Sequence, residues 1–137
     1  MKVAIKGNNH QVDLVMALNT TLHWVVINSE NPIEHHLDAD LLVNLSERAA
    51  EENYHPITCP VFINSVCMTL QEQNHPNNVV RINGWNGFLE RNTWEVSGEM
   101  TQQHINFLHA IGRKYHSVAD QPGMVSARVI SMIINEA

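Results

Sequence analysis

The segment that decides the fold is residues 3–18, which read VAIKGNNHQVDLVMAL. Residues 3–5 form a short apolar run that is typical of a buried strand, and Gly7 follows almost at once. Residues 11–18 then carry apolar side chains at helical spacing. A strand, a glycine turn and a helix in succession make one β–α unit, which is the building block of an α/β protein.

The same alternation continues along the chain. Strands are predicted at residues 22–27, 41–45, 60–64, 79–82, 93–96 and 115–119, and helices or helical turns at 47–53, 65–73, 101–114 and 122–136. Because strands and helices alternate, we expect a three-layer α/β fold with a mostly parallel sheet of about five or more strands. The connection between the second and third strands is short, about a dozen residues.

Composition limits the class of protein. A chain of 137 residues is long enough for one domain, and 44% hydrophobic with 16% charged residues is typical of a globular one. The net charge of −6, without a basic cluster, argues against nucleic-acid binding. No apolar run approaches the ~18 residues of a membrane span, and the first residues read as a strand and not as a signal peptide.

The cysteines and histidines indicate neither a disulfide framework nor a metal site. Cys59 and Cys67 fit no zinc spacing, so we interpret them as filler and expect a cytoplasmic protein. Although there are nine histidines, His104 and His109 fall on different sides of their predicted helix. We expect scattered surface histidines and no bound metal.

Two later stretches are more specific. Residues 83–88 read NGWNGF and are followed by WEV at 94–96, and residues 120–128 read DQPGMVSAR before the closing INEA. This pattern resembles the NAD-dependent 3-hydroxyacyl-CoA dehydrogenases. In that family a His-Phe-Phe-Asn-Pro segment ends the fifth strand, a Val-Glu-Val follows, and Asp-x-Pro-Gly-Phe-x-x-Asn-Arg opens the dimerisation helices. The resemblance is good over residues 40–137 and weak over 1–39.

The resemblance implies a domain organisation and a partner. Residues 1–119 correspond to a shortened Rossmann-like domain, and residues 120–137 to a remnant of the helical dimerisation region, the two forming one compact unit. The predicted helix over 122–136 is apolar almost all round, and such a helix must be buried. We therefore expect a homodimer that packs through this helix. The alternative is a monomer in which the helix fills the space left by missing segments.

The catalytic positions that the resemblance implies are Asn83, Glu95 and Asn86. In the family a histidine takes the proton from the substrate hydroxyl, a glutamate holds the imidazole, and an asparagine contacts the substrate. Here Glu95 and Asn86 are kept, but Asn83 stands at the histidine position. An amide does not titrate near neutral pH, so the loss of the base predicts impaired catalysis, a pseudoenzyme.

The substrate positions are Asn64, Ser65 and Trp85. Asn64 and Ser65 fall where the family has Asn-Thr-Ser, and the last hydroxyl of that motif is replaced by Val66. The family's Asn before the Arg of the Pro-Gly helix is Ala127 here. Trp85, together with Trp94, either lines an acyl or nucleotide pocket or belongs to the core, and the sequence leaves both readings open.

The cofactor positions are Gly7, Asn9 and Glu30. The family's Gly-x-Gly-x-x-Gly loop is reduced to Gly7, with Asn9 and Val12 at the other two glycine positions. The second glycine lets the backbone approach the pyrophosphate and the third lets the helix pack closely, so both functions are obstructed. Glu30 lies 23 residues after Gly7, near where an acid holds the ribose, although it also reads as an ordinary surface residue.

Three classes of function follow from these residues. The first is a 3-hydroxyacyl-CoA dehydrogenase-like module that binds a small polar or acyl ligand, and the second is a structural protein in which only the fold matters; neither needs a cofactor. The third is an active NAD-dependent oxidoreductase acting on a 3-hydroxyacyl-CoA or another 3-hydroxy acid, which would need NAD.

Overall fold

The computed structural model describes residues 1–85 and 87–124. The strands are β1 (Lys2–Lys6), β2 (His23–Ile27), β3 (Leu41–Asn44), β4 (Val61–Asn64), β5 (Val79–Ile82), β6 (Thr93–Ser97) and β7 (Lys114–Ser117); the α-helices are α1 (Asn9–Met16) and α2 (Gln102–Ala110), and a 3-10 turn spans Ala49–Glu51. Every predicted strand is confirmed, and the helices predicted at 11–18 and 101–114 are observed with shifted ends. The helix predicted for 122–136 lies almost wholly outside the described residues.

The strands form one sheet in the order β2-β1-β3-β4-β5-β6-β7. Strands β1 to β5 are parallel, as predicted, and β1 lies between β2 and β3. The chain therefore forms β2 on one side of β1 and then crosses to the other side of β1 to form β3. In such sheets the crevice outside the carboxyl ends of the strands at this reversal is where ligands bind.

The last two strands run in the opposite direction. Strand β6 is antiparallel to β5, and β7 is parallel to β6. The short β5–β6 connection consists of turns where it is described, which suits an antiparallel return, whereas the β6–β7 connection contains α2 and can make a parallel crossover. This reversal brings the end of β5 against β6, where the candidate site lies.

One face of the sheet carries both helices. Side chains of α1 and α2 such as Val15 and Phe107 pack on alternate strand residues such as Ile5 and Phe62, and all four are fully buried. The alternation of inward side chains in the strands and the helical repeat of α2 both match this packing. The apolar faces of the two helices and the inward side chains of the strands thus form the main core.

The opposite face is covered without α-helices in the described part of the chain. The second core cluster places strand residues such as Leu42 and Ile63 against the 3-10 turn and against Tyr54 and Ile57 of the β3–β4 connection. A three-layer fold needs helices on both faces of the sheet, so that part of the prediction is wrong for these residues. The connections that cross this face cover it with turns and the 3-10 turn, although the β3–β4 connection is as long as the β1–β2 connection that contains α1.

The helix predicted for residues 65–73 is also wrong. That segment forms turns, and the buried Arg81 donates to the carbonyl oxygens of Ser65 (2.9 Å) and Val66 (2.7 Å). In a helix these two oxygens would accept from residues four positions later. The guanidinium thus takes the acceptors that a first helical turn would use.

His104 corrects the expectation of surface histidines, because it is fully buried at the first turn of α2. Its Nδ1 accepts from the backbone N–H of Thr101 (3.1 Å), and its Nε2 lies 3.2 Å from the carbonyl oxygen of Val61. Burial lowers its pKa, so the ring is held neutral. Among the described residues, no group of histidine, cysteine and acidic side chains could hold a metal ion, and no helix is long and apolar enough to cross a membrane.

Candidate functional site

The carboxyl end of β5 faces β6, and this places Asn83 opposite Glu95. Ile82 and Val96 are partners in the antiparallel pair, so the next pair outward is Asn83 with Glu95. Both line one cleft of about 380 Å³, whose remaining walls are Phe88, Arg91, Asn92, Thr93, Trp94 and His116. The structure thus brings together two of the predicted catalytic positions, while the third, Asn86, lies outside the described residues.

The amide of Asn83 is buried and only half satisfied. The residue is 3% exposed, and its Oδ1 accepts from the backbone N–H of Trp85 at 3.1 Å. This bond identifies the oxygen end of the amide, so Nδ2 is the end that finds no acceptor in the described part of the chain. A buried donor without a partner costs about 1–3 kcal/mol, so such a group is a candidate for contact with a ligand oxygen.

Two basic side chains share this cleft, and the sequence reasoning missed both. Arg91 lies over the ring of Phe88, with its Cζ 4.2 Å from the ring centroid. His116 on β7 is the register partner of Glu95. An alternating pattern along β6 could have indicated that Glu95 points away from the core, but nothing local to residues 114–117 indicates which residue of β6 they pair with.

The two tryptophans separate into a core residue and a cleft residue. Trp94 is 2% exposed and its indole N–H donates to the carbonyl oxygen of Leu89 at 3.1 Å, so it belongs mainly to the core. Trp85 is 39% exposed and lines a second cleft of about 350 Å³ with Cys67 and Met68. Trp85 is therefore a cleft residue, and Trp94 is a core residue that also forms part of the wall of the Asn83–Glu95 cleft.

Asn64 and Ser65 line the same second cleft as Trp85, but their polar atoms already bind the backbone. Asn64 accepts from the N–H of Gly84 (2.9 Å) and donates to the carbonyl oxygen of Leu45 (3.3 Å). A Cβ at Gly84 would lie 2.7 Å from Asn64 Cγ, which explains the glycine. Ser65 donates to the carbonyl oxygen of Met68 at 2.6 Å. These contacts tie the ends of β3, β4 and β5 together.

A third cleft, of about 440 Å³, lies beside Gly7 at the reversal of the sheet. At the start of α1 the side chain of Asn8 accepts from the N–H of Gln11 (2.8 Å), and the side chain of Gln11 accepts from the N–H of Asn8 (3.3 Å). These two donors would otherwise be open to a phosphate. Asn9 and Glu30 are exposed, and it is Ser29, not Glu30, that lines the cleft.

The charges of the Gly7 cleft balance one another. Lys6 is 5% exposed and its Nζ lies 3.0 Å from Glu52 Oε1, while Glu47 and Arg48 line the rim. Glu52 also accepts from the amide of Asn44. Two cations and two carboxylates leave no net positive charge for a pyrophosphate. Together with the capped helix start, these residues do not fit the diphosphate of a dinucleotide.

The segment that begins the Pro-Gly motif is held against β5 by an ion pair between the buried Arg81 and the partly exposed Asp120. Arg81 is fully buried, and its Nη1 lies 2.8 Å from Asp120 Oδ1. Asp120 also accepts from the N–H groups of Leu70 (2.9 Å) and Gln71 (3.1 Å). The pair thus joins β5, the 65–74 turns and residue 120.

Two other positions taken from the resemblance have plain outcomes. Val12, which replaces the third glycine of the loop, is buried in the core, and Ala127 lies outside the described residues.

No protein family model matches this sequence, and neither does any curated protein. Solved structures do match. With a dehydrogenase of 5-formyl-3-hydroxy-2-methylpyridine 4-carboxylic acid, an NAD+-dependent dismutase, the TM-score is 0.73 at 16% identity, over 98% of this chain and 63% of that one. With the 3-hydroxyacyl-CoA dehydrogenase of Archaeoglobus fulgidus it is 0.72 at 12% identity, over 99% and 62%.

A third match is the (S)-3-hydroxybutyryl-CoA dehydrogenase of Ralstonia eutropha, with a TM-score of 0.68 at 10% identity, over 98% of this chain and 69% of that one. The chain is thus similar in structure to NAD-dependent 3-hydroxyacyl-CoA dehydrogenases and related dehydrogenases. At these identities the similarity shows the Rossmann-like fold, and the chain spans less than two thirds of the length of the first of these proteins.

Proposed function

We propose that this chain is a catalytically impaired, 3-hydroxyacyl-CoA dehydrogenase-like protein that binds a small oxygen-bearing ligand between Asn83 and Glu95. The observation that carries the proposal is the buried Nδ2 of Asn83, which lines a cleft and has no acceptor among the described residues. A ligand oxygen in the cleft supplies that acceptor. The structural neighbours that act on hydroxylated substrates support the assignment of a ligand to this end of the sheet.

The chemistry at Asn83 supports binding without turnover. An amide can donate to a hydroxyl or carbonyl oxygen, but it cannot take the proton that must leave when a hydroxyl is oxidised. Loss of general-base catalysis alone costs about 10²–10⁴-fold in rate. Glu95 remains as an acceptor on the facing wall, so the cleft keeps polar groups that orient a ligand, while position 83 holds an amide where the resembled family has its general base.

A binding experiment on 15N-labelled protein tests the proposal. We expect short 3-hydroxy compounds to shift the side-chain amide resonances of Asn83, and Asn83→Leu to abolish binding. Because Asn83 makes one backbone hydrogen bond and leaves one donor unsatisfied, this substitution should change the free energy of unfolding by less than about 1 kcal/mol. Asn106→Leu, the same change on the exposed face of α2, is the control. Unchanged binding by Asn83→Leu would refute the proposal.

An active NAD-dependent oxidoreductase is the second candidate. It is favoured by the neighbours' cofactor and by the open cleft beside Gly7 at the sheet reversal. If NAD bound there, it would supply the hydride acceptor. The capped start of α1 and the balanced charges of the cleft argue against an active oxidoreductase. We expect no NAD binding at micromolar concentration, and a calorimetric dissociation constant below about 10 μM would favour the oxidoreductase.

A further inference from the structure

We infer that the Asn83–Gly84 pair is a latent deamidation site that Asn64 keeps closed. An asparagine that precedes a glycine can modify itself, because the backbone nitrogen of the glycine attacks the side-chain Cγ and a cyclic imide forms. Glycine permits this reaction best, since it has no Cβ to hinder the backbone rotation that closes the ring. The pair directly follows β5 and includes the amide of the candidate site.

The reaction releases ammonia and needs only water and base. The Gly84 nitrogen loses its hydrogen to base and bonds to Asn83 Cγ, the Cγ–Nδ2 bond breaks, and Nδ2 leaves as ammonia. Water then adds to one carbonyl of the imide, and the opened ring is an aspartate or an isoaspartate at position 83. No atom is oxidised or reduced. Both products lack the Nδ2 donor and carry a negative charge in the cleft that Glu95 also lines.

The fold itself requires this labile dipeptide. A Cβ at position 84 would lie 2.7 Å from Asn64 Cγ and 2.8 Å from Asn64 Oδ1, too close for any side chain, so only glycine fits there. A bulkier residue after Asn83 would slow ring closure, but the packing against Asn64 does not admit one. The protein therefore needs another means of keeping the amide of Asn83 intact.

Asn64, which excludes a side chain at position 84, also occupies the attacking nitrogen. The N–H of Gly84 donates to Asn64 Oδ1 at 2.9 Å, and the other end of the Asn64 amide donates to the carbonyl oxygen of Leu45 at 3.3 Å. Gly84 is buried, so base reaches its N–H only after this hydrogen bond opens. The leaving Nδ2 of Asn83 has no acceptor in the described part of the chain, so the protection comes from the Gly84 side.

Peptide mapping of the 137-residue protein after incubation in mildly alkaline buffer tests the inference. Trypsin releases residues 82–91, and fragment spectra distinguish conversion of Asn83 from that of Asn86, which also precedes a glycine. We expect Asn83 to deamidate at least about 10-fold more slowly in the native protein than in urea, the scale of one hydrogen bond. Asn64→Leu should remove most of this protection.

Asn78→Leu is the matched control. It removes an amide whose Nδ2 donates to the carbonyl oxygens of Ile57 (3.0 Å) and Cys59 (2.7 Å), and it should leave the rate at Asn83 unchanged. Hydrogen exchange of the Gly84 amide, followed by NMR on 15N-labelled protein, gives a second readout. It should be slow in the native protein and in Asn78→Leu and fast in Asn64→Leu, because only the latter variant frees this N–H.

Several results would overturn the inference. They are equal deamidation rates of Asn83 in the native protein and in urea, fast exchange of the Gly84 amide in the native protein, no acceleration by Asn64→Leu, or equal acceleration by both variants, which would assign the protection to global stability. The first two use the unsubstituted protein alone and decide the matter even if Asn64→Leu does not fold. None of them concerns ligand binding by the intact amide, so the proposed function is tested separately.

Discussion

Replacing Asp120 by asparagine should destabilise the protein strongly, because it leaves the fully buried Arg81 without its countercharge. The guanidinium would keep the carbonyl oxygens of Ser65, Val66 and Gln121, but these are neutral acceptors. Breaking a buried ion pair at one partner typically costs about 3–5 kcal/mol. Since the Asp120 side chain is 29% exposed, water compensates in part, and we expect about 3 kcal/mol.

Urea unfolding followed by tryptophan fluorescence measures this loss. With a slope of about 2 kcal/mol per molar urea, a loss of about 3 kcal/mol lowers the midpoint by about 1.5 M. A double-mutant cycle with Arg81→Met isolates the pair, because the second substitution removes the stranded charge. The two changes should be less than additive by at least about 1.5 kcal/mol.

The exposed pair Lys2–Asp38 provides the matched control. Its Nζ–Oδ2 distance is also 2.8 Å, but the Asp38 side chain is 95% exposed. The cycle of Lys2→Met with Asp38→Asn should therefore show no measurable coupling, although Lys2 lowers the pKa of Asp38. If the Arg81–Asp120 cycle also showed no coupling energy, the ion pair would not be what holds residue 120 against β5.

Three further predictions concern catalysis, pH and assembly. Asn83→His restores a base opposite Glu95, but it should give little oxidation of 3-hydroxyacyl-CoA. The reason is that the start of α1 beside Gly7 is capped and the charges of the Gly7 cleft balance one another, so the cofactor is not bound. Robust turnover by this single variant would contradict that account. Burial lowers the pKa of His104 in the folded state, so as the pH falls the unfolded state takes up this proton before the folded state does. The contribution of the neutral His104 to the free energy of unfolding is therefore complete above about pH 6.5 and is lost as the pH falls towards the folded-state pKa. Urea midpoints measured from pH 7.5 to 5 should fall, and His104→Gln should flatten the profile; an equally steep profile would assign the effect to other groups. The structure does not describe the predicted 122–136 helix beyond residue 124, but its apolar residues should make the protein a homodimer. We expect light scattering at tens of micromolar to show the dimer and Ile130→Glu to shift it towards monomer. A soluble monomer in both proteins would refute the dimer.

Much of the fold was predictable because its signals are local. The runs at 3–5 and 41–43 are apolar and bounded by polar residues, which indicates buried strands whatever their neighbours. The spacing of Ile105, Leu108 and Ile111 likewise indicates a helix with one buried face, and Leu108 and Ile111 belong to the helical side of the core. Such patterns report whether a side chain is suited to burial, and that preference is intrinsic to the residue.

The failures have a common physical origin in long-range polar contacts. Residues 65–73 read as a helix, yet they form turns because Arg81 takes two of their carbonyl oxygens. Arg81 itself read as one polar residue inside a strand, and its partner Asp120 lies 39 positions away. No local pattern indicates that such a pair will meet.

The same distinction between local signals and long-range contacts applies to the candidate site. The sequence by itself, through the resemblance, predicted that Asn83 and Glu95 lie in one site and determined that position 83 holds an amide, which cannot act as a general base. Only the tertiary structure decided that the amide is buried with an unsatisfied donor, and that Arg91 and His116 share its cleft. The reason is that β7 takes its place and register from α2 and the whole sheet, so the neighbour of Glu95 is set by packing across the molecule and not by the residues around it.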